Sequence, residues 1–490
     1  MDTPPISLNT IRKYMHDYSF LWHDYETFGA QARRDRPAQF AAIRTDADLN
    51  EIGEPIMLYC QPAPDFLPDP QSCLITGITP QECLERGVPE YQFAATIEQA
   101  FSQPGTIGVG YNTIRFDDEI TRFMFWRNLI DPYAREWQND CGRWDLLDVV
   151  RTTYALRPDG IYWPTNAEGK PSFRLEHLAA ANGLAHEAAH DALSDVRATI
   201  ALAKLIRQHQ PKLFEFCLSL RKKEKVATEI GLPLKKAFLH VSGMIPAERG
   251  CITAVWPLAL HPQNKNEVIV WDLNYDPSEL FTLDAASIKL RMFSKADALP
   301  EGVSRLPIKS IHLNKSPIVI SNLKTLSADR AAHWGLDMQL VQSHAKLAEG
   351  APDMSSIWQQ IFSRNTETGV DVDEDLYGGF VGNNDRRTLT DLRAMTPAEL
   401  ASTHPQFQDG RLKELLFRYR ARNFPSTLSS QEQQQWQRHI AARLLDGAAK
   451  ALTVEQFFDR IDSLQESADE RAEEILGALY DYAEQITPVR

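Results

Sequence analysis

The chain has 490 residues and a mass of 55.5 kDa, which is too long for one hydrophobic core and predicts two to four domains. Its composition, 43% hydrophobic and 24% charged residues, is that of an ordinary globular protein. No apolar run is long enough to span a membrane, and the first nineteen residues lack the apolar core of a secretory signal. We therefore expect residues 1–19 to form an N-terminal extension.

The charge is negative overall but unevenly spread. A net charge of −14 argues against long-range attraction of a polyanion. Residues 204–249, however, contain ten Lys or Arg against four Asp or Glu, whereas residues 430–490 contain six against twelve. A local nucleic-acid groove is compatible with this distribution, although the basic run 221–225 is equally typical of a solvated helix face. The six cysteines show no Cys-x-x-Cys pair, which favours reduced thiols and a cytoplasmic location.

The first part of the chain predicts a mixed sheet with helices packed on it. Short apolar or alternating runs indicate strands, and 3.6-residue spacing indicates helices. The predicted strands are 20–27, 38–45, 55–60 and 106–110, with a Pro-rich loop over 62–70. The predicted helices are 93–101, 117–129, 145–156, 174–181 and 191–206.

The pattern changes near residue 208 and again near residue 350. Strand-like runs at 238–242, 252–256, 267–273, 308–313 and 317–320 favour a small β-barrel or sandwich, with helical additions over 327–347. Beyond residue 350 the predicted elements are helices, including 412–419, 430–445, 454–464 and 468–485. We therefore expect a mixed α/β part over 20–208, a mostly β part over 209–350 and an all-α part over 351–490.

The predicted first strand ends in two carboxylates, Asp24 and Glu26. Side chains two residues apart in a strand lie on one face. Two carboxylates held together repel each other unless a cation lies between them, and oxygen ligands favour a hard ion such as Mg²⁺ or Mn²⁺. Taken alone, the pair is better explained as two solvated acids at a strand end.

Two further signals lie where a helix begins. Asp117 follows the strand 106–110, and His190 and Asp195 flank the start of the helix 191–206. Each signal alone fits ordinary helix capping. Together with the acid pair, they place four carboxylates and one histidine at strand ends and helix starts. Such a set fits hydrolysis of a phosphodiester by two metal ions, with the histidine as general base.

The motifs carry a specific resemblance. Asp24-x-Glu26-Thr27, Asn112 with Phe116-Asp117, and His190-x4-Asp195 match the three motifs of the DEDDh exonuclease superfamily. The wider text, including HDYETFG, GYNxxRFDDE and YRARNFP, resembles the bacterial exonuclease I family from about residue 20 to the end of the chain. This resemblance implies an α/β multidomain protein with an RNase H-like nuclease domain, an SH3-like domain and an all-α C-terminal domain. It also implies a Mg²⁺-dependent monomer that degrades single-stranded DNA processively from the 3′ end to nucleoside 5′-monophosphates and acts in DNA repair and recombination.

The resemblance also implies residue roles. Asp24, Glu26 and Asp195 resemble the ligands of two Mg²⁺ ions, with Mn²⁺ as an alternative metal, while Asp117 is the fourth acid and His190 the general base. The expected substrate contacts are Glu26, Asn112, Arg122, Tyr133, Trp137, Arg174, Lys223, Asn266, Lys309 and Asn314. For Tyr133 and Trp137, ordinary packing is an equally good interpretation.

The implied partner is the acidic C-terminal tail of single-strand DNA-binding protein, for which Arg157 or the basic run 418–422 offers positive charge. Other functions also use these motifs. The chain could be an RNA-trimming nuclease, a polymerase proofreader or a nuclease-fold binding protein without catalysis.

Overall fold

The computed structural model describes residues 18–185, 191–232, 235–363 and 369–488, which form two compact units. The first unit takes its described residues from 1–142, 187–197 and 367–490, and the second from 143–186 and 198–366. The N-terminal extension expected over 1–19 lies almost wholly outside the described residues, and Ser19 is already the first residue of a strand. No helix in the described part of the chain has the length and apolar character needed to cross a lipid bilayer.

The sheet that carries the acid pair has five strands in the order β3-β2-β1-β4-β5. Its strands are β1 Ser19–Thr27, β2 Pro37–Thr45, β3 Ile56–Tyr59, β4 Thr106–Gly110 and β5 Gly142–Asp145, with the boundary between the units at the start of β5. β1 is antiparallel to β2 and parallel to β4. Its pairing with β4 ends at Trp22, opposite Val109. The residues of β1 from Asp24 onward therefore extend past the paired part of β4.

Most helices of the first unit come from two distant stretches of chain. The early helices are α1 Pro70–Thr76, α2 Pro80–Arg86, α3 Glu90–Phe101 and α4 Asp117–Arg127. The C-terminal helices are α14 Asn383–Ala394, α15 Pro397–Ser402, α16 Arg411–Asn423, α17 Ser430–Leu444, α18 Val454–Gln465 and α19 Glu470–Ile486.

The second unit contains an antiparallel sheet in the order β10-β6-β7-β8-β9. Its strands are β6 Phe238–Val241, β7 Ile252–Leu260, β8 Glu267–Asp272, β9 Ile308–His312 and β10 Ile318–Ile320. Its helices are α5 Leu146–Leu156, α6 Leu175–Ala181, α8 Pro211–Ser219, α9 Lys223–Ile230, α10 Ala285–Phe293, α11 Ala328–His333, α12 Met338–Glu349 and α13 Ser355–Ile361. Helix α7, Ala192–His209, begins in the first unit and continues in the second.

Most of the predicted elements are confirmed to within a few residues. The exceptions have physical reasons. Helices α1 and α2, which follow the predicted Pro-rich loop, were not predicted; Pro70 and Pro80 each occupy the first turn, where a missing N–H costs nothing. The helical additions expected over 327–347 are two helices, α11 and α12, separated by a turn at Gly335, whose φ of 68° favours glycine. Strand β5 and the helices α8, α9 and α10 were not predicted.

The C-terminal helices share hydrophobic cores with the early part of the chain. One core joins Phe28 and Phe66 to Phe457 and Leu476. A second core joins Phe123 and Trp126 to the helices α14 and α16, among other C-terminal elements. Burial of these shared faces is the main force that stabilises the first unit, because the free energy of apolar burial grows with the area removed from water.

A buried group of ion pairs also joins the C-terminal helices to the early part of the chain. The Asp65 side chain is fully buried, and its two oxygens accept hydrogen bonds of 3.1 and 2.7 Å from the Arg422 guanidinium. Arg443 Nε donates to the Asp65 carbonyl oxygen at 3.2 Å. These arginines hold the pKa of Asp65 well below its usual range, because their charges outweigh the effect of burial.

We expect Asp65→Ala to destabilise the protein by about 3–5 kcal/mol, because the buried Arg422 would lose one of its two carboxylate partners and keep only Asp373. Urea unfolding followed by circular dichroism measures the change. The matched control is Arg460→Ala, which removes a largely exposed pair with Asp69 at 2.7 Å and should cost less than about 1 kcal/mol. Equal unfolding midpoints for the two variants would contradict the expectation.

Candidate metal-dependent active site

The end of β1 presents its carboxylates on one side of the sheet and packs the other side into the core. Tyr25 belongs to a buried aromatic cluster with Phe40, and the His23 ring lies edge-on to Phe101. Asp24 and Glu26 alternate with these residues, as the two-residue period of a strand requires. The β1–β2 pairing shifts register between Glu26 and Thr27. The strand is therefore regular up to the acids and irregular immediately after them.

Asp117, the fourth predicted acid, is held beside β1 by the first turn of α4. The backbone N–H of Tyr25 donates to Asp117 Oδ1 at 3.2 Å. Thr121 Oγ1 lies 3.0 Å from the Tyr25 hydroxyl and 2.8 Å from the Asp117 carbonyl oxygen, to which it donates. The side chain of the next residue, Asp118, instead forms an ion pair with Arg135 at 2.5 Å, and both side chains are buried. Helix α4 is thereby fixed to the strand that carries the acid pair.

Helix α7 supplies the last acid. Asp191 caps this helix, because its Oδ2 accepts from Ser194 N at 3.1 Å and its carbonyl oxygen accepts from Asp195 N at 3.0 Å. One oxygen from each of Asp24, Glu26 and Asp195 can be chosen so that all three lie within 4.8 Å of one another. The structure thus brings together the three residues expected to bind metal. His190, the expected general base, lies outside the described residues.

The burial and close spacing of these carboxylates favour the binding of a cation. Burial, together with the neighbouring carboxylates of Asp24, Asp195 and Asp191, raises the pKa of Glu26 to about 9. Burial and the charges of Asp117 and Asp195 likewise hold the pKa of Asp24 well above its usual range. A divalent ion would remove this penalty, and an all-oxygen donor set suits hard ions such as Mg²⁺ or Mn²⁺. The residues present therefore fit a divalent metal.

The predicted substrate residues of the first unit lie on and near α4. Arg122 is buried, and its guanidinium donates to Glu119 at 2.6 Å and to both oxygens of Glu136 at 2.7 and 3.0 Å. Its guanidinium carbon lies 5.3 Å from the centre of the Tyr133 ring. Trp137 is 64% exposed. Asn112, the remaining candidate, has a φ of 68° in the turn that joins β4 to α4.

The predicted substrate residues of the second unit are distributed over several elements. Arg174 precedes α6, is largely exposed and pairs with Glu176 at 2.6 Å. Lys223 Nζ donates a hydrogen bond to Asn266 Oδ1. The carbonyl oxygen of Asn314 accepts from Arg143 at 3.0 Å, and Lys309 lies in β9.

A groove in the first unit contains residues that the sequence did not single out. It encloses about 590 Å³, and Tyr133 and Trp137 line it together with Phe380, Arg386 and Arg387. Phe380 is 89% exposed. A phenylalanine directly after the Gly378-Gly379 pair and shortly before an Arg-Arg pair is the sequence signal that could have pointed to this wall.

The fold and the acid cluster define a class of protein, the metal-dependent exonucleases with an RNase H-like domain. The exonuclease domain model matches residues 21–203. Models of the exonuclease I SH3-like domain and the exonuclease I C-terminal domain match residues 221–364 and 370–486. The chain is 45% identical to exodeoxyribonuclease I of Escherichia coli K12 over 476 residues, which cover 96% of this chain and 98% of that protein. This chain belongs to the exonuclease I family.

Solved structures of relatives agree with this assignment. The E. coli exonuclease I complex with a dA16 oligonucleotide has a TM-score of 0.91 and 44% identity, and the match covers 96% of this chain and all of that one. A zinc-bound form of the E. coli exonuclease I complex with single-stranded DNA has a TM-score of 0.90 and 44% identity, with 96% and 99% covered.

We expect metal binding to release protons at neutral pH. Glu26 has a pKa of about 9 without metal, so it carries a proton at pH 7 that must leave before the carboxylate can act as a ligand. The apparent affinity for Mn²⁺ should therefore rise between pH 6 and pH 8, by up to about tenfold per pH unit for each proton displaced. Calorimetry in buffers of different ionisation enthalpy measures the protons released, and a pH-independent affinity would contradict the raised pKa.

Proposed function

We propose that this chain is a 3′→5′ exonuclease that hydrolyses single-stranded DNA processively to nucleoside 5′-monophosphates, with two bound Mg²⁺ ions. The observation that carries the proposal is the cluster of Asp24, Glu26 and Asp195 within 4.8 Å, with Asp117 bonded to the same strand. Membership of the exonuclease I family supports the choice of substrate. The proposed domain limits are 20–208, 209–350 and 351–490.

The residues have distinct tasks in this proposal. Asp24, Glu26 and Asp195 hold the metal, and Asp117 lies beside them on α4. When bound, the metal ions activate a water molecule and stabilise the charge on the departing 3′-oxygen. His190 takes the proton from the attacking water, whose oxygen forms a bond to the phosphorus of the terminal phosphodiester. The bond from phosphorus to the 3′-oxygen of the preceding nucleotide then breaks, and a 5′-monophosphate is released.

The groove offers a path for the strand upstream of its 3′ end. Aromatic rings stack on bases regardless of sequence, and arginines bind phosphates. Trp137 and Phe380 are highly exposed on its walls, and Arg386 and Arg387 supply positive charge beside them. Arg122 contributes to this path indirectly, because its guanidinium packs against the ring of Tyr133, which lines the groove.

We propose that the remaining predicted substrate residues also contact the DNA strand. They are Arg174, Lys223, Asn266, Lys309 and Asn314, together with Asn112 and Glu26 in the first unit. Lys223 and Asn266 already contact each other, so we propose that they bind the strand as a pair.

The proposed partner is the acidic C-terminal tail of single-strand DNA-binding protein, in a monomeric enzyme that acts in DNA repair. Arg157 is exposed and suits this contact. The expectation for the run 418–422 is wrong, because its arginines are enclosed: Arg418 pairs with Asp371, Arg420 with Glu432 and Arg422 with Asp65. The six cysteines are buried and unpaired, which supports a cytoplasmic location.

Two substitutions separate metal binding from proton transfer. We expect Asp24→Asn to lose both Mn²⁺ binding and hydrolysis, because the cluster loses one ligand. His190→Ala should still bind Mn²⁺, while kcat falls by about 10²- to 10⁴-fold, the usual loss when a general base is removed. Calorimetry and single-turnover assays on a 3′-labelled oligodeoxynucleotide measure the two effects. Full activity of Asp24→Asn would overturn the metal site, and full activity of His190→Ala would remove the base.

The groove has its own test. Trp137→Ala and Phe380→Ala should each weaken the binding of long single-stranded DNA by about 1–3 kcal/mol, the usual contribution of a stacked base. Fewer nucleotides should be removed per encounter, while kcat changes little because the metal ligands are untouched.

Competition by an RNA oligomer of the same sequence checks the substrate class. Equal affinity for RNA and DNA would favour an RNA-trimming enzyme instead.

A further inference from the structure

The loop that follows the metal strand is closed by its own hydrogen bonds. Residues 28–36 join β1 to β2 and begin two residues after Glu26. Phe28 N donates to the Arg36 carbonyl oxygen at 2.9 Å, and Thr27 Oγ1 donates to the Gly29 carbonyl oxygen at 2.7 Å. Gly29 permits this closure, because a Cβ there would lie 2.1 Å from Asp35 Oδ2. These hydrogen bonds attach the loop directly to the end of β1.

Two arginines attach this loop to the C-terminal part of the chain. Arg34 donates from Nε to Glu374 Oε1 at 3.0 Å and from Nη2 to Oε2 at 3.3 Å, which is a two-point contact. Arg33 Nε donates to the Glu374 carbonyl oxygen at 2.7 Å. Glu374 is 8% exposed, so water competes little for its carboxylate. A two-point contact of this kind fixes orientation as well as distance.

The segment that carries Glu374 is itself held on several sides. Trp126 Nε1 on α4 donates to the Val372 carbonyl oxygen at 2.7 Å. On α16, Arg418 Nη1 donates to Asp371 Oδ1 at 2.7 Å, and Arg422 pairs with Asp373. Glu374 therefore anchors the loop to a rigid support, not to a surface segment that can follow the loop when it moves.

Rigid support of the loop matters because the carboxylates that would bind metal repel one another. When the carboxylates of Asp24, Glu26 and Asp195 are all ionised, they repel one another and favour any movement that separates them. Glu26 is the ligand nearest to the irregular end of β1, so it is the one that a loosened loop would free. Residues that orient the ligands of a metal contribute to its affinity even when they do not touch it.

We propose that Arg34 and Glu374 are positioning residues, which hold the loop 28–36 so that Glu26 stays in place to bind metal. This proposal rests on the proposed function, and it assigns the C-terminal segment 371–374 a direct part in assembling the active site. Neither residue contacts the metal ligands or the substrate in this role.

The test uses the full chain with Glu374→Gln, Arg34→Gln and the double variant. Calorimetric titration with Mn²⁺, without DNA, should show about fivefold weaker binding for each single variant, somewhat less than a direct outer-shell partner gives. The double variant should lose no more than either single variant, because both changes break one contact. With single-stranded DNA and subsaturating Mn²⁺, kcat should fall and KM should stay unchanged.

Arg460→Ala is the matched control. It removes another ion pair between a C-terminal helix and the early chain, Arg460 with Asp69 at 2.7 Å, and should leave Mn²⁺ affinity and kcat as in the wild type. If all variants including Arg460→Ala bind Mn²⁺ equally weakly, general loosening is the cause and the proposal is overturned. Wild-type Mn²⁺ affinity in Arg34→Gln, whose side chain is partly exposed, would overturn it as well. A wild-type chain that does not hydrolyse single-stranded DNA would instead contradict the proposed function, since Mn²⁺ titration does not depend on the substrate.

Discussion

The mutual repulsion of four carboxylates is the constraint on which the first unit depends. Acids that could separate in water are held together at the end of β1, where burial and their neighbours raise the pKa of Asp24 and Glu26. A strand end and two helix starts supply the acids from different directions. Helix α4 cannot move independently of β1, because its first turns form hydrogen bonds with the backbone and the hydroxyl of Tyr25. The folding free energy of the first unit therefore includes the unfavourable cost of holding these carboxylates together before any metal binds.

The C-terminal helices extend this scaffold. Their apolar faces share cores with the early chain, and buried arginines link the two stretches through Asp65, Asp373 and Glu374. Hydrophobic burial is non-directional, whereas a two-point arginine–carboxylate contact fixes an angle. Apolar packing thus brings the C-terminal helices to the nuclease sheet, and the ion pairs set where the loop after β1 rests. This division of tasks gives the buried arginine–carboxylate pairs a role in orientation that apolar packing cannot fill.

Local pattern predicted the acid pair and most elements, because strand alternation and helix starts are encoded within a few residues. The remainder depends on contacts between residues far apart in sequence. The run 418–422 looks like a solvent-exposed basic patch until the aspartates that neutralise it are located some fifty and more than three hundred residues away. Arg122 looks like an exposed phosphate ligand until Glu136 and Tyr377 close around it. A single sequence shows which residues are charged but not which charges are paired.

The pairing of buried charges also resolves the apparent conflict between a net charge of −14 and a polyanionic substrate. Charges act on a strand only within about a Debye length, roughly 10 Å at 0.1 M salt, so the relevant charge is that of the surface the strand meets. Asp65 and Asp373 are neutralised internally by Arg422, and the described lining of the groove includes no residue of the acidic helices α18 and α19. Arg386 and Arg387 are exposed along that groove, where Asp131 lies 3.8 Å from Arg386. At its catalytic end the strand would meet acids whose pKa values are raised. A bound divalent ion would replace protons there with a larger positive charge, and so would make the site electrostatically more accessible to a phosphodiester.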